Sequence, residues 1–169
     1  MHYYNATITL MRKILNPYHL ESDCWSHTMM VCKIAEISHY DKVVQVAALL
    51  HDIGKPDSRK INPRNNHVQF FGHEALSAKM AVEILEHMTE EEIVSSLEKN
   101  EIIKLIAEHA FLHKYKEVNA LQEYFGDDKD FCIHLVQLSR CDSFGRFCPD
   151  LPSEEKYETL LKILYMSRQ

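Results

Sequence analysis

His27, His51, Asp52, His73, His109 and Asp142 are the residues of this sequence whose types and spacing could do chemistry. Imidazole and carboxylate together make a ligand set for divalent metals. Scattered ligands of this kind can converge where facing helices project them into one place. His51 and Asp52 sit side by side in the stretch LLHDIGKP, at the end of an apolar run. On a regular helix, adjacent side chains diverge by about 100°. Both therefore reach one centre only if the centre lies off the helix end. Gly54 is expected to permit the turn there, and Pro56 to keep the helix from covering the site.

The elements that must position these residues are helical, because apolar residues recur by three and four and alternating runs are short. The expectation is an all-α bundle. A first helix over about 7–15 stops at Asn16-Pro17. Ser22 or Asp23 caps a second running to about His39, which carries His27. Asp41 caps a third, DKVVQVAALLHDI, apolar nearly all round and so central. Residues 56 to 72 read as a long exposed loop, with Phe70-Phe71 as its hydrophobic anchor. A fourth helix covers Glu74 to His87, with His73 at its start. Thr89 and Glu92 form a capping box opening a short fifth. Asn100 is expected to cap the helix that carries His109. A small helix lies near Leu121 to Phe125, a long one starting at Asp127 or Asp128 carries Asp142, and Pro152-Ser153 opens the last.

The bulk composition fits this reading. The chain has 169 residues, 46% hydrophobic and 26% charged, with four Gly and five Pro, so one ordinary globular domain over 1–169 is the simplest organisation. A formal charge of −6 excludes a broad basic surface for nucleic acid, leaving only small local contacts. Five Cys, without a CxxC pair or a secretory leader, point to a reducing cytoplasm. No run reaches the ~20 apolar residues of a membrane span. Oligomeric state leaves no trace in the sequence.

His27, then His51-Asp52, then Asp142 resembles the H…HD…D signature of the HD superfamily of metal-dependent phosphohydrolases. Within it, AALLHDIGKP, FFGHEALSAKMAVEIL and RCDSFGR are similar to the HD region of bacterial CCA-adding tRNA nucleotidyltransferases and related stand-alone HD proteins. The resemblance implies an all-α HD bundle of about seven to eight helices. It implies that His27, His51, Asp52 and Asp142 ligate a primary divalent metal, that His73 and His109 ligate a second, and that Lys55 meets a substrate phosphate. Lys55-Pro56 stands where an HDxxED motif would carry a Glu, which points away from guanosine-tetraphosphate hydrolases. The Gly-Ser and paired-Asp signature of nucleotidyl transfer does not occur in the sequence, so CCA addition is not expected.

The ligand types suit Mn, Fe, Co, Ni or Zn, and Mg less well, in one or two ions. Asp52, with two carboxylate oxygens, is best placed to bridge a pair. Lys55 lies about one turn beyond His51, and Arg140 and Arg146 flank Asp142. Arg146, four residues on, returns to the helix face of Asp142, whereas Arg140 does not. Asp52, Lys55 and Arg146 are thus the expected catalytic group. His67, His87, His113 and His134 read as background, and Glu74 as either a partner of a ligand or a plain helix N-terminal acid. The expected substrate is a phosphoester of a nucleotide or RNA end, cleaved by a phosphatase or 2′,3′-cyclic phosphodiesterase. The alternative is a non-catalytic, metal-stabilised nucleotide-binding module.

Overall fold

The computed structural model describes residues 8–13, 23–87, 95–115, 118–147 and 153–166, and it is an all-α bundle. Residues 8–11 are helical, and Met11 is fully buried. The expected stop at Asn16-Pro17 and the expected capping box at Thr89 and Glu92 lie outside the described residues, as does Cys148.

Helix α1, Cys24–Ile37, starts where the Asp23 carboxylate accepts the Ser26 N–H at 2.9 Å. It ends two residues short of His39, which takes a left-handed conformation (φ 53°) as the chain turns away. The His39 and Tyr40 N–H groups donate back to the Glu36 and Ala35 carbonyls, satisfying the last turn of the helix.

Helix α2, Lys42–Leu50, is the centre of the bundle and packs against α1 and three later helices. Its Val43, Val44, Ala47, Ala48 and Leu50 are buried, which explains an apolar sequence with almost no polar face. Asp41 occupies the N-cap position, but its side chain makes no capping bond and instead meets His134 at 3.2 Å.

Four expectations need correction after α2. The helix stops at Leu50, and residues 51–54 form a turn. Gly54 has an ordinary right-handed conformation (φ −83°, ψ −8°), so backbone freedom is not why glycine stands there. A Cβ on Gly54 would lie 2.7 Å from the Ser77 nitrogen and 2.8 Å from the His73 carbonyl oxygen. Pro56 does not end a helix but sits in the first turn of α3, Lys55–Ser58, where a missing N–H costs nothing. Finally, residues 56 to 72 are not wholly loop: β1, Lys60–Ile61, pairs antiparallel with β2, Val68–Gln69. Phe70 packs on the core as an anchor, whereas Phe71 is 75% exposed.

Helix α4, His73–Glu86, is entered through Gly72 at φ 75°. Helix α5, Ser96–Glu108, is capped by Ser95 and Glu98 reciprocally, so Asn100 lies inside the helix and is not its cap. The Ser-x-x-Glu pair satisfies two N–H groups at once and sets the start. Then come α6, Phe111–Lys114; α7, Val118–Phe125; α8, Lys129–Phe144, capped by Asp128; and α9, Glu154–Met166. Helix α5 packs on α2, α4 and α8, while α8 also packs on α1, α2 and α9. Helix ends from α2, α4, α5 and α8 are thereby gathered beside the first turn of α1, which carries His27.

Candidate metal centre

His27, His51, His73 and His109 are held by one device. Each Nδ1 faces a backbone carbonyl: Gly145 at 2.9 Å for His27, Ala48 at 2.8 Å for His51, Phe70 at 2.8 Å for His73 and Ile106 at 2.7 Å for His109. A carbonyl only accepts, so each Nδ1 carries a proton, and in the neutral form of each ring the lone pair lies on Nε2. For His51, His73 and His109 the carbonyl lies three residues back, within reach because each ring sits at a helix end.

The four Nε2 atoms converge on two carboxylates. His27, His51 and Asp142 form one group and Asp52, His73 and His109 another, with the ligand atoms of each group within 4.8 Å of one another. Asp52 joins them. Its Oδ2 lies 3.4 Å from His51 Nε2 and 3.6 Å from His27 Nε2, while its Oδ1 lies 3.4 Å from His73 Nε2 and 3.9 Å from His109 Nε2. Asp142 Oδ1 is 3.0 Å from His27 Nε2 and 3.8 Å from His51 Nε2. Among the described residues, His51 Nε2 and Asp52 Oδ1 are buried polar atoms with no hydrogen-bond partner. An orphaned acceptor costs about 1–3 kcal/mol when buried. Acceptors aimed at one another fit a cation between them, so the donor set suits a divalent metal in each group.

The charge states of the two carboxylates and of His109 suit ligation, whereas at His73 burial lowers the ring but Asp52 outweighs it and holds the group above its usual value. Burial raises the Asp52 carboxyl, but His51 and Lys55 outweigh it and hold the group well below the usual carboxylate range. Asp142 is likewise raised by burial and more strongly lowered by His113, His27 and Arg146. Burial, aided by neighbouring His51, pushes His109 down to about 4, so its ring is neutral at neutral pH.

Lys55 and Arg146 each pair with one of the two carboxylates. Lys55 Nζ donates to Asp52 Oδ2 and stands 5.8 Å from the centre of the Phe70 ring. Arg146 Nη2 is 3.0 Å from Asp142 Oδ1, and its Nε donates to the Asp142 carbonyl. Arg140 points elsewhere, pairing with Glu154 and donating to Ser38 and Tyr40.

Two neighbours of the site were not legible in the sequence. His113, read there as background, lies 2.9 Å from Asp142 Oδ2. Its position four residues past His109 was the available signal, obscured by the turn that separates α5 from α6. Buried Cys24 places Sγ 4.0 Å from Asp52 Oδ2. Glu74 meets His73 Nδ1 at 3.2 Å and Lys114 at 3.7 Å, so it is both a partner of His73 and an acid in the first turn of α4. His134 is taken up by Glu101 and Asp41, far from the ligands in the fold.

Among known proteins, the multifunctional CCA protein of Burkholderia orbicola (strain MC0-3) is 36% identical over 104 residues, covering 61% of this chain and 23% of that protein. The protein of the same name from Paracidovorax citrulli (strain AAC00-1) is 31% identical over 132 residues, 76% of this chain and 26% of that protein. The chain thus spans about a quarter of the length of these curated relatives. The family model described as the HD domain matches residues 24–146, which run from the residue after the α1 cap to Arg146 beside Asp142. With that match over most of its length, the chain belongs to the HD-domain family.

Proposed function

We propose that the protein is a metal-dependent phosphohydrolase acting on a phosphoester of a nucleotide or an RNA end. The observation that supports this best is the Asp52 carboxylate, whose two oxygens face two separate histidine groups. His27, His51 and Asp142 would hold one ion, His73 and His109 a second, and Asp52 would serve both. A divalent metal held there would lower the pKa of a bound water and polarise a phosphoryl oxygen. The mixed nitrogen and oxygen donors favour Mn, Fe, Co, Ni or Zn over Mg.

The chain's own contribution is placement and charge. The backbone carbonyls fix four imidazoles with their lone pairs inward, so no reorientation is needed when substrate arrives. Lys55 and Arg146 are partly exposed cations on the two carboxylates. Each can turn from its carboxylate toward a phosphate, offsetting charge that grows in the transition state.

Elemental analysis of untagged protein, paired with hydrolysis of a phosphoester panel, tests the reading. The parent should carry about two equivalents of metal and turn over at least one nucleotide phosphoester. Asp52→Ala should lose both properties. A chain that takes up no metal after Mn, Ni or Co is added, or one in which Asp52→Ala hydrolyses as fast as the parent, would sink it.

A further inference from the structure

Between Lys55 and His73 the chain leaves the bundle and returns, and what it carries there is unlike the rest of the protein. Residues 55–72 hold four basic side chains, Lys55, Arg59, Lys60 and Arg64, against one acid, Asp57, in a chain of formal charge −6. Arg59, Lys60 and Arg64 are exposed, and none has an ion-pair partner among the described residues. What sets the segment apart is the balance of its charges, four basic side chains to one acid in a chain with more Asp and Glu than Lys and Arg.

The segment is also built to hold its shape. Lys60 pairs with Gln69 and Ile61 with Val68. At the tip, the Asn62 N–H donates to the His67 carbonyl at 2.8 Å and the Asn66 N–H to the Asn62 carbonyl at 2.8 Å. The Asn62 side chain accepts the Arg64 N–H, and the Asn65 side chain accepts the His67 N–H. Both feet of this hairpin are planted at the metal centre. Lys55, on Asp52, opens α3, and one helical turn of about 6 Å rise separates it from Arg59. After β2 the chain passes Phe70, whose carbonyl anchors His73 Nδ1, and Phe71, which is 75% exposed two residues before His73.

Exposed cations and an exposed aromatic ring carried on one short hairpin are the combination that holds single-stranded nucleic acid: cations meet phosphates, and the ring stacks a base. We propose that the hairpin of residues 59–71 grips the phosphodiester backbone next to the scissile group, so the substrate is the end of an oligonucleotide strand rather than a free mononucleotide. The grip is local, three cations and one ring, and agrees with a protein that is acidic overall. A mononucleotide has no neighbouring phosphate to offer Arg59, Lys60 or Arg64, and gains nothing from them. The proposal rests on the phosphohydrolase reading for its choice of substrate, and binding tests it without turnover.

The experiment measures anisotropy of a short fluorescein-labelled oligouridylate with full-length protein over a range of salt. Mononucleotide hydrolysis is followed in parallel. The triple variant Arg59→Gln, Lys60→Gln, Arg64→Gln should bind the strand at least ~10-fold more weakly. Its slope of log affinity against log salt should flatten by about 2, from ~0.7 for each lost single-strand phosphate contact. Its mononucleotide kinetics should match the parent. Arg59→Lys with Arg64→Lys keeps the charge and should retain strand affinity and most of the slope, whereas Phe71→Leu should weaken binding several-fold at every salt concentration. Equal strand affinity in parent and triple variant overturns the proposal, as does a triple variant that loses mononucleotide turnover in step with strand binding. Should the parent hydrolyse no phosphoester, the phosphohydrolase reading falls, while the anisotropy comparison still decides the hairpin's role.

Discussion

Asp52 Oδ1 lies 3.4 Å from His73 Nε2, although the two residues are separated by a helical turn and a whole hairpin. The approach joins the end of α2 to the start of α4 and extends the site beyond the His27, His51 and Asp142 group. It also makes the two groups separable by mutation, because His73 touches only the Oδ1 side of Asp52.

His73→Ala should therefore reduce bound metal from about two equivalents to about one, with hydrolysis falling far more than halfway because one ion cannot hold both sides of the reaction. Elemental analysis and kinetics on the same preparation check this. Two retained equivalents would remove His73 from the ligand set.

Lys55→Met should leave metal content unchanged and raise KM for a phosphoester by about ten- to a hundredfold, the range of a lost hydrogen bond to a charged group. Lys55 donates to Asp52 Oδ2 but is an ammonium and offers no lone pair to a metal. Loss of metal in this variant would recast Lys55 as a support for Asp52.

The six ligand candidates were legible in the sequence because each is a metal-ligating type on or beside a helix that periodicity and breakers reveal, and because H…HD…D resembles a known signature. The hairpin was not, since two-residue strands such as Lys60–Ile61 are too short to show alternation. Gly54 was visible, but its reason was not: the need for glycine comes from Ser77 and His73, more than eighteen residues ahead and brought close only by folding. His113 escaped for the same cause, as its partner Asp142 sits on α8. The start of α5 is itself a local signal, since Glu98 three residues after Ser95 completes a capping box and leaves Asn100 inside the helix.

His39→Gly should stabilise the fold by about 0.5–1 kcal/mol in urea unfolding. His39 holds a left-handed conformation that costs a side-chain-bearing residue ~1–2 kcal/mol, and glycine returns part of that gain through its larger unfolded-state freedom. A fall in stability would mean that the ring makes contacts worth more than the backbone cost.

Glu98 supplies the pH dependence. The Ser95 hydroxyl and then the Ser95 N–H donate to its carboxylate, at 2.7 and 2.6 Å, and hold it below its usual 4.5. A carboxyl lowered in the folded state adds stability that is present above its unfolded value and lost as pH falls through the folded one. The stability difference between parent and Glu98→Ala should accordingly be largest near neutral pH and shrink below about pH 4.5. Parallel unfolding curves at a series of pH values check it, and a difference constant to pH 3 would assign the effect to helix propensity alone.

Gly54→Ala tests whether the close approach of the α2 end to α4 is what builds the second histidine group. The conformation of Gly54 is open to any residue, and on backbone grounds alone alanine would stabilise by about 0.4–1 kcal/mol. The Cβ, however, would sit 2.7 Å from the Ser77 nitrogen and 2.8 Å from the His73 carbonyl oxygen, both backbone atoms of α4 that cannot rotate aside. It would also strain the 2.9 Å bond from the Gly54 N–H to the Ser77 hydroxyl. Overpacking of this kind costs about 1–3 kcal/mol, so the steric effect wins and the variant should be less stable than the parent. Relief comes by moving the start of α4 outward, which carries His73 away from Asp52. Metal titration of the folded variant should then show the His27, His51 and Asp142 group filling as in the parent and the second ion binding at least ~10-fold more weakly. A variant that is more stable and binds both ions unchanged would show that α4 adjusts freely, and that the spacing between Asp52 and His73 is set elsewhere.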